Sequence, residues 1–349
     1  MEIFVFGISH KTAPIEIREK FSVPIGKTPQ MLQAFQQEAG LKECAVLSTC
    51  NRTEIYGACP YLNGQPTDMK RILSQMCEVS FSSVEPHWYV RSFPDCVSHL
   101  FRVASGLDSM VVGENEILGQ VKEAYEMARL EGATGKILNR LFEKAIHAAK
   151  EVRARTGIGR GKASIGSCAV EAAVKIFGGA FSEKTVMIIG AGKMGELTAR
   201  YFFEKGAHSI FVANRSFERA EELADSFGGE AVRFEALPRM LEQADIVITS
   251  TRSPHRMIEK GDIAPIMRRR KNRPLFFIDI SVPRNINASV SELENVYLYN
   301  IDDFNEGLQT GHRERADCVE ACEAILSEKA DRFCRWFKKE GEASREFLF

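Results

Sequence analysis

Apolar residues change their spacing along the chain, and each change predicts a different kind of element. In the first 90 residues, short apolar runs alternate with two amphipathic stretches; the predicted strands are 3–8, 44–47, 55–58 and 88–90, and the predicted helices are 28–39 and 66–79. Their order, β-α-β-β-α-β, is that of the ferredoxin-like fold. We therefore predict a small α+β domain in which the turn between the second and third strands is exposed at one end of the sheet.

Helical spacing takes over from residue 93 to about 156. Within 97–104 the apolar positions recur at intervals of three and four, which places His99 beside the apolar face rather than within it. A lone histidine there is usually a surface side chain or one that a hydrogen-bond partner satisfies, so composition alone gives little support for a function of His99. Ordinary amphipathic packing is predicted for the later helices, 119–131, 135–155 and 164–177.

The middle of the chain contains strands that are apolar almost throughout, as in parallel sheets covered on both faces. These predicted strands are 184–189, 209–213, 245–250 and 275–280. A last helix, polar over most of its surface, is predicted from about 311 to 340. The sequence thus predicts an α/β multidomain protein with a ferredoxin-like α+β domain plus helices at 1–156, a Rossmann-type domain at 157–306 and a C-terminal long helix at 307–349.

Composition narrows the class of protein. A length of 349 residues predicts about two domains. The 46 basic and 47 acidic residues give a net charge of −1, so the chain has no overall basic excess. A nucleic-acid partner would therefore have to bind to local basic patches. The nine cysteines form no C-x-x-C pair and no disulfide framework, which predicts reduced thiols and no metal site. The N-terminus lacks the pattern of a signal peptide, and no apolar run approaches roughly 18 residues. These features predict a cytoplasmic protein that does not enter a membrane.

Two stretches concentrate basic charge. The first, 150–162, combines five lysines or arginines with three glycines that mark a domain boundary. Its charges suit either the dipole at a helix C-terminus or contact with RNA, and both interpretations stay open. The second, Arg268 to Lys271, is typical of a solvated helix end.

The stretch 47–54 places one cysteine among polar residues, between the two strands of the predicted hairpin. If the backbone of the turn stays close to extended, the side chains of Cys50 and Arg52 lie on the same face of the hairpin, because side chains alternate along a strand. A guanidinium close to a thiol favours the thiolate, which is the nucleophilic form. A cysteine beside a strand is also commonly a small buried hydrophobe. The residues alone leave both interpretations of Cys50 open.

The segment 105–120 mixes three glycines, three carboxylates and a glutamine with apolar residues. A loop that lines a pocket would need this mixture. The start of a helix would explain Glu114 and Glu116 equally well, since acidic residues favour the first turn. Both interpretations stay open here as well.

The segment 190–195 follows a predicted strand and opens a predicted helix. A G-x-G-x-x-G nucleotide fingerprint requires this context, because the backbone amides and the helix N-terminus hold a pyrophosphate. A tight turn without a ligand is the alternative. The predicted cofactor-binding residues of this turn are Gly190, Ala191, Gly192, Lys193, Met194 and Gly195.

The end of the next strand should determine which cofactor binds. NAD enzymes carry an acidic residue there for the ribose 2′-hydroxyl, whereas this chain has Asn214, Arg215 and Ser216. An arginine and two hydrogen-bonding side chains suit a 2′-phosphate. The sequence therefore predicts NADPH as the cofactor.

Several segments, taken together, resemble one enzyme family. They are Gly7 to Pro14, Ser48 to Glu54, Gly106 to Ser109 with Gly113 and Glu114, Ile117 to Gln120, and the Gly190 turn. They are similar to the motifs of glutamyl-tRNA reductase, and the resemblance extends from residue 3 to about 340. It implies that NADPH reduces the glutamyl group of glutamyl-tRNA to glutamate-1-semialdehyde and that the tRNA is released, in the first step of tetrapyrrole synthesis.

The resemblance also implies roles for particular residues. Cys50 would be the nucleophile that takes the glutamyl group as a thioester, and His99 would be a catalytic histidine that donates a proton or positions the ester. A thioester accepts hydride where a free carboxylate cannot, and Arg52 would hold the substrate carboxylate with its bidentate fork. The implied glutamate pocket comprises Thr49, Asn51, Arg52, Ser109, Glu114, Asn115, Glu116 and Gln120.

The implied partners are glutamyl-tRNA and, as a candidate, the aminomutase that takes the next step. Family members usually continue past the long helix into a dimerisation region, whereas this chain ends at Phe349, so we expect only weak self-association through 311–340. Two other classes of protein remain as alternatives. One is an NADP dehydrogenase of the shikimate type, which would explain 184–300 but not the Cys50 segment, and the other is a non-catalytic, NADP-responsive RNA-binding protein.

Overall fold

The chain forms two compact units, each with its own sheet. A computed structural model describes residues 1–61, 65–80, 82, 85–114, 116–158, 165–179, 181–207, 209–251, 253–304 and 316–346. The first unit is Met1–Gly161 with Gly311–Phe349, and the second is Lys162–Thr310. Among the described helices, none has both the length and the apolar character needed to cross a bilayer.

The first unit is built on a four-stranded antiparallel sheet in the order β2-β3-β1-β4. Its strands are β1 (Glu2–Ser9), β2 (Glu43–Ser48), β3 (Arg52–Cys59) and β4 (Tyr89–Ser92), and the helices between them are α1 (Ile15–Arg18), α2 (Thr28–Gln37) and α3 (Gln65–Cys77). The predicted ferredoxin-like arrangement is confirmed, with the short α1 as an addition.

Three further helices cover this sheet: α4 (Asp95–Ser105), α5 (Glu116–Leu130) and α6 (Lys136–Thr156). Helices α2, α5 and α6 all contact β2, and α6 also contacts β3, where Tyr56 packs edge-on against Phe142 with 5.5 Å between ring centroids. All eight residues of β3 are buried as a result. The polar side chains at the start of this strand therefore lie in the interior of the unit and need partners there.

The second unit has a six-stranded parallel sheet in the order β10-β9-β8-β5-β6-β7. Its strands are β5 (Thr185–Ile189), β6 (Ser209–Ala213), β7 (Glu230–Val232), β8 (Ile246–Thr249), β9 (Leu275–Asp279) and β10 (Val296–Asn300). Its helices are α7 (Ile165–Phe177), α8 (Lys193–Glu204), α9 (Phe217–Asp225), α10 (Leu237–Gln243) and α11 (Lys260–Arg269). The strand order reverses at β5, so the predicted doubly wound Rossmann topology is confirmed.

The basic run Arg268 to Lys271 at the end of α11 is more than a solvated helix end, which corrects the sequence-based interpretation. Arg270 is 4% exposed, and its guanidinium donates to the carbonyl oxygens of Leu241 at 3.0 Å and Glu242 at 2.9 Å. The same group lies 3.4 Å from a carboxylate oxygen of Asp245. A buried guanidinium is tolerated here because these backbone and carboxylate acceptors replace its water.

The long helix α12 (Ala316–Glu346) returns to the first unit, where it packs on α4 and α6. One face is apolar and buried, and it comprises Cys322, Leu326, Ala330, Phe333 and Phe337. The polar surface predicted for this helix is therefore its outer face only. Residues 311–315 of the predicted helix lie outside the described residues.

Candidate active site

Cys50 lies in the tight turn that joins β2 to β3, at one end of the antiparallel sheet. The Thr49 hydroxyl oxygen accepts hydrogen bonds from the backbone amides of Asn51 and Arg52, both at 3.1 Å. The Thr49 amide in turn donates to the Arg52 carbonyl oxygen at 2.8 Å. Cys50 is partly exposed, whereas Cys44 on the adjoining strand is 0% exposed. This exposure favours the reactive interpretation of Cys50 over that of a buried hydrophobe.

A buried arginine that the sequence analysis did not single out holds this turn. Arg18, at the end of α1, is 3% exposed, and its Nη1 donates to the Cys50 carbonyl oxygen at 2.5 Å. Its Nε donates to the Ala13 carbonyl oxygen at 3.2 Å. The amide of His10, which follows β1, donates to the Asn51 carbonyl oxygen at 2.8 Å. The turn is thus held from both α1 and the end of β1.

The Cys50 thiol is not activated in the free protein, contrary to the effect expected of Arg52. Burial raises the pKa of this thiol to about 12, and the Glu114 carboxylate contributes to the rise. Arg18 and Arg52 lower the pKa, as a nearby guanidinium should, but desolvation outweighs them. The sulfur therefore carries its proton at neutral pH, and that proton must leave as the sulfur attacks a substrate.

Arg52 is directed into the unit, where carboxylates surround it. The residue is 1% exposed, and its Nη1 donates to Glu54 at 2.8 Å and to an Asp108 carboxylate oxygen at 3.3 Å. Its Nη2 donates to the Asp108 carbonyl oxygen. Asp108 also pairs with the ammonium of Lys11, whose side chain is 51% exposed. The fork predicted to bind a substrate carboxylate is thus engaged by protein acceptors in this structure.

Glu54 is the centre of a buried hydrogen-bond network. Its carboxylate accepts from Arg52 at 2.8 Å, from the hydroxyls of Tyr56 at 2.6 Å and Tyr89 at 2.5 Å, and lies 2.8 Å from Nε2 of His99. Burial alone would raise the pKa of Glu54, but Arg52 and His99 hold the pKa well below its usual range. The carboxylate is therefore charged and satisfied in the interior of the unit.

The prediction that His99 lies beside the apolar face of its helix is wrong. His99 is 5% exposed and is directed towards the sheet, with its ring 5.8 Å from that of Tyr89. A polar ring is stable among apolar neighbours when a partner satisfies it, and Glu54 is that partner. Helical periodicity contains no information about a carboxylate on a distant strand.

The loop after α4 lies against the Cys50 turn through the contact between Arg52 and Asp108. Gly106 ends α4 with a φ of +79°, and the Gly113 amide closes the loop by donating to the Gly106 carbonyl oxygen at 3.0 Å. Arg153 of α6 donates to the Glu114 carbonyl oxygen at 2.5 Å. Burial raises the pKa of Glu114 to about 7, against the effect of its hydrogen bond with Ser109.

The helix-start interpretation of the segment 105–120 explains Glu116 but not Glu114, and the pocket-lining interpretation stays a prediction. Glu116 begins α5, as an acidic residue in the first turn should, while Glu114 stands in the loop with a perturbed pKa. Gln120 lies one turn further along α5 and is partly exposed. Asn115 lies outside the described residues.

In the second unit, the glycine turn between β5 and α8 approaches the end of β8 closely. Gly190 has a φ of +96°, and a Cβ atom there would lie 2.4 Å from the Ser250 carbonyl oxygen. Cβ atoms at Gly192 and Gly195 would lie 2.5 Å and 2.7 Å from the Ser250 side chain. Only glycine fits at these three positions, and α8 begins directly after Gly192. The turn therefore presents bare backbone at a helix N-terminus, which suits a pyrophosphate. The remaining residues of the fingerprint, Ala191, Lys193 and Met194, are at least partly exposed.

The three residues predicted to choose the cofactor follow β6 directly. Ser216 caps α9 by accepting from the Arg219 amide at 3.4 Å, and Asn214 donates to the Ser216 carbonyl oxygen at 3.1 Å. Arg215 lies between them and is exposed. The segment is thus ordered by its own hydrogen bonds, with the guanidinium of Arg215 on the outside.

Five polar residues of the first unit were not predicted as site residues from the sequence: His10, Lys11, Arg18, Glu54 and Asp108. Four of them occur inside segments that were quoted for the family resemblance. Arg18 lies outside those segments, and its role depends on a carbonyl oxygen 32 residues away. No local pattern identifies such a contact.

The fold and the site together define a class of protein. A doubly wound sheet whose first strand leads through three close-packed glycines into a helix is the nucleotide-binding unit of dehydrogenases, and the residues present fit a dinucleotide. The chain is therefore an oxidoreductase whose second unit binds a nicotinamide cofactor and whose first unit carries Cys50.

Comparisons with known proteins identify the family within this class. Residues 6–156 match the family described as glutamyl-tRNAGlu reductase, N-terminal domain, and residues 171–306 match shikimate / quinate 5-dehydrogenase. The glutamyl-tRNA reductases of Syntrophotalea carbinolica and Brevibacillus brevis are 44% and 42% identical over 97% and 98% of this chain, and over 76% and 75% of their own lengths. The solved structure of glutamyl-tRNA reductase from Methanopyrus kandleri is 34% identical, with a TM-score of 0.54 over 98% of this chain and 82% of that one. The chain belongs to the glutamyl-tRNA reductase family.

Proposed function

We propose that this chain uses NADPH to reduce the glutamyl group of glutamyl-tRNA to glutamate-1-semialdehyde, with release of the tRNA, through a thioester on Cys50. This is the first step of tetrapyrrole synthesis by way of glutamate. The observation that carries the proposal is the placement of Cys50 in a partly exposed turn that is held by Arg18 and His10. Beside it, Asn51 Oδ1 and Arg52 Nε are buried without a hydrogen-bond partner within the described part of the chain. Because buried polar groups are normally paired, these atoms favour a polar ligand next to the sulfur.

The chemistry divides into two steps. In the first, the Cys50 sulfur attacks the ester carbonyl carbon, the bond from that carbon to the ribose oxygen breaks, and the thiol proton passes to the ribose oxygen. The glutamyl group then rests on Cys50 as a thioester, which accepts hydride as a free carboxylate cannot. The cofactor, when bound, supplies the hydride. Collapse of the resulting hemithioacetal expels the sulfur and yields the aldehyde.

We assign the glutamate pocket to the predicted residues around this turn: Thr49, Asn51, Arg52, Ser109, Glu114, Asn115, Glu116 and Gln120. The contact between Arg52 and Asp108 and the electrostatic effect of Glu114 on Cys50 support a common pocket for the two segments. His99 acts in this proposal through Glu54, because its Nε2 lies against that carboxylate. His99 thereby positions Arg52, which shares the same carboxylate.

We assign cofactor binding to the Gly190–Gly195 turn and preference for NADPH to Asn214, Arg215 and Ser216. Replacing Arg215 with alanine should remove the cation for the 2′-phosphate, and losing such a contact costs about 1.5–3 kcal/mol, roughly one to two decades in affinity. The dissociation constant of NADPH should rise by that factor while that of NADH stays unchanged. Fluorescence titration of the reduced cofactors measures both constants.

Arg219→Ala is the matched control for this prediction, since Arg219 is an exposed arginine of α9, one turn away. It should bind NADPH as the unaltered chain does. Unchanged NADPH affinity in Arg215→Ala would refute the assignment of this segment to the 2′-phosphate.

The activity is tested by incubating the chain with glutamyl-tRNA and NADPH and trapping the aldehyde. The proposed reductase should form aldehyde and deacylated tRNA in equal amounts. A shikimate-type dehydrogenase would instead oxidise shikimate or quinate with NADP and leave the tRNA charged. An RNA-binding protein without catalysis would retain the tRNA and produce neither product. The match of 171–306 to the shikimate family makes the shikimate assay a necessary control.

We propose glutamyl-tRNA as the partner that the first unit meets, with the aminomutase of the next step as a candidate protein partner. Self-association through the long helix should be weak, because its described apolar face is already covered by α4 and α6. Ion pairs at the edge of this contact join Lys329 to Glu151 at 2.7 Å and Lys136 to Glu340 at 2.5 Å. The outer face of the helix is mainly polar and exposed.

A further inference from the structure

His10 belongs to the Gly7 to Pro14 segment, and the proposed function uses its backbone amide but not its side chain. Its ring nitrogen Nδ1 is buried and has no hydrogen-bond partner among the described residues. Asn51 Oδ1 and Arg52 Nε are also buried without a hydrogen-bond partner among the described residues. Asn51 and Arg52 adjoin Cys50 in the turn, and the backbone of His10 is hydrogen-bonded to Asn51, so the three unpaired atoms belong to neighbouring residues. Since unpaired buried groups are rare, this cluster indicates a polar ligand rather than ordinary packing.

The position of His10 is determined by the sheet. Ser9 is the last residue of β1 and pairs with Arg52, the first residue of β3. The next residue, His10, donates its amide to the Asn51 carbonyl oxygen at 2.8 Å. The backbone of His10 is therefore held by the sheet and by Asn51, the residue after Cys50, and its place does not depend on a flexible loop.

The surroundings of the ring keep it neutral. Burial, followed by the charge of Arg52, lowers the pKa of His10 to about 3, and Lys11 and Arg18 act in the same direction. A neutral imidazole carries one N–H donor, and it loses no proton when an anion forms beside it. Arg18 and Arg52 favour negative charge in this region, while Asp108 raises the pKa of His10 and Glu114 raises that of Cys50. These properties suit stabilisation of an oxyanion and exclude a role as a strong base.

We propose that His10 is a catalytic residue whose Nδ1–H donates to the carbonyl oxygen of the glutamyl group. This inference rests on the proposed thioester chemistry. As the Cys50 sulfur forms its bond to the carbonyl carbon, the π electron pair moves to that oxygen, and His10 holds the resulting oxyanion. When the bond to the ribose oxygen breaks, the electron pair returns to restore the carbonyl, and the thiol proton ends on the ribose. His10 itself gains and loses no proton.

The test compares two substitutions that differ in where they keep a donor. Asparagine at position 10 places an amide nitrogen close to the site of Nδ1, whereas glutamine reaches towards the site of Nε2. Removing one oxyanion donor typically slows a reaction by about 10²–10³-fold. His10→Gln should therefore slow the transfer of radiolabelled glutamate from glutamyl-tRNA to Cys50, in single turnover without NADPH, by about a hundredfold. His10→Asn should remain within about tenfold of the unaltered chain.

A second measurement separates this role from structural support of the turn. Alkylation of Cys50 by iodoacetamide passes through no oxyanion, so both variants should be alkylated at nearly the unaltered rate. His87→Asn is the control for loss of an imidazole near this segment, because its ring nitrogen lies 2.7 Å from the Thr12 carbonyl oxygen. It should leave both rates unchanged.

Four results would overturn the proposal. Unchanged labelling in His10→Gln would remove His10 from the reaction, and a parallel loss of labelling and alkylation would make it a support of the turn. An equal loss in His10→Asn with alkylation intact would refute the assignment to Nδ1. Absence of label on Cys50 in the unaltered chain would overturn the thioester itself, and the role of His10 with it.

Discussion

Cys50→Ser is expected to acquire no thioester from radiolabelled glutamyl-tRNA and to form aldehyde at a rate lower by on the order of 10³-fold or more. Acyl transfer needs only the sulfur and the ester, so the unaltered chain should take up label without NADPH. It should lose that label slowly to water as free glutamate, and addition of NADPH should divert the label to aldehyde. A serine in this turn forms its alkoxide far less readily than a cysteine forms its thiolate. Gel filtration followed by hydroxylamine release measures the thioester.

Cys77→Ser provides the matched control, because Cys77 is another partly exposed thiol of the first unit. It should be labelled as the unaltered chain is. Near-normal aldehyde production by Cys50→Ser, or label that maps to Cys44 or Cys59, would show that the turn is structural and that the mechanism is wrong.

Glu54→Gln is expected to lower the free energy of unfolding of the first unit by about 3–5 kcal/mol, the usual effect of removing one partner of a buried ion pair. Glu54 is 0% exposed and accepts from Arg52, Tyr56 and Tyr89. Without its charge, Arg52 keeps Asp108 as its carboxylate partner at 3.3 Å. Urea unfolding can be followed by tryptophan fluorescence, because both tryptophans, Trp88 and Trp336, lie in the first unit.

The pH dependence of this effect has a definite sign. The folded pKa of Glu54 lies well below the unfolded value of about 4.3, so the stabilisation is fully present above about pH 5. It is lost as the pH falls through the unfolded pKa towards the folded one. The difference between the unaltered chain and Glu54→Gln should therefore shrink in acid. Glu38→Gln, which removes an exposed pair with Arg71, should leave the urea midpoint unchanged. An equally small effect of Glu54→Gln would contradict the central role given to this carboxylate.

The buried hydrogen-bond network around Glu54 connects the prediction for Glu54→Gln with the prediction for Cys50→Ser. Arg52 connects the Cys50 turn to Glu54 and to Asp108 of the loop after α4, and His99 shares the Glu54 carboxylate. Arg52, which we assign to the proposed glutamate pocket, is thus held by ion pairs in the interior of the unit. A defect at Glu54 should appear in acyl transfer as well as in stability, because Arg52 would lose one of its two carboxylate partners.

Most of the elements and their order could be predicted from the sequence, because they depend on local patterns, but the short helix α1 and the strands β7 and β10 were not predicted. Short apolar runs predicted the strands of the first unit, and strands that are apolar almost throughout predicted the parallel sheet of the second unit. The glycine turn was recognisable because its three glycines serve contacts that no other residue permits. The family resemblance rested on contiguous motifs, and the comparisons confirm the family and a nicotinamide cofactor, while the role of Cys50 stays a prediction.

Tertiary structure decided the electrostatic state of the site. Whether Arg52 activates Cys50 depends on desolvation and on Glu114, which lies 64 positions from the thiol along the chain, and burial reverses the effect expected from neighbouring residues. His99 is buried because Glu54 meets it from a strand, and Arg18 holds the turn from a helix that no motif marks. Such contacts join residues far apart in sequence, and each depends on which neighbours exclude water. A pattern of side chains along the chain records hydrophobicity and spacing, whereas burial and charge pairing exist only once the chain has folded.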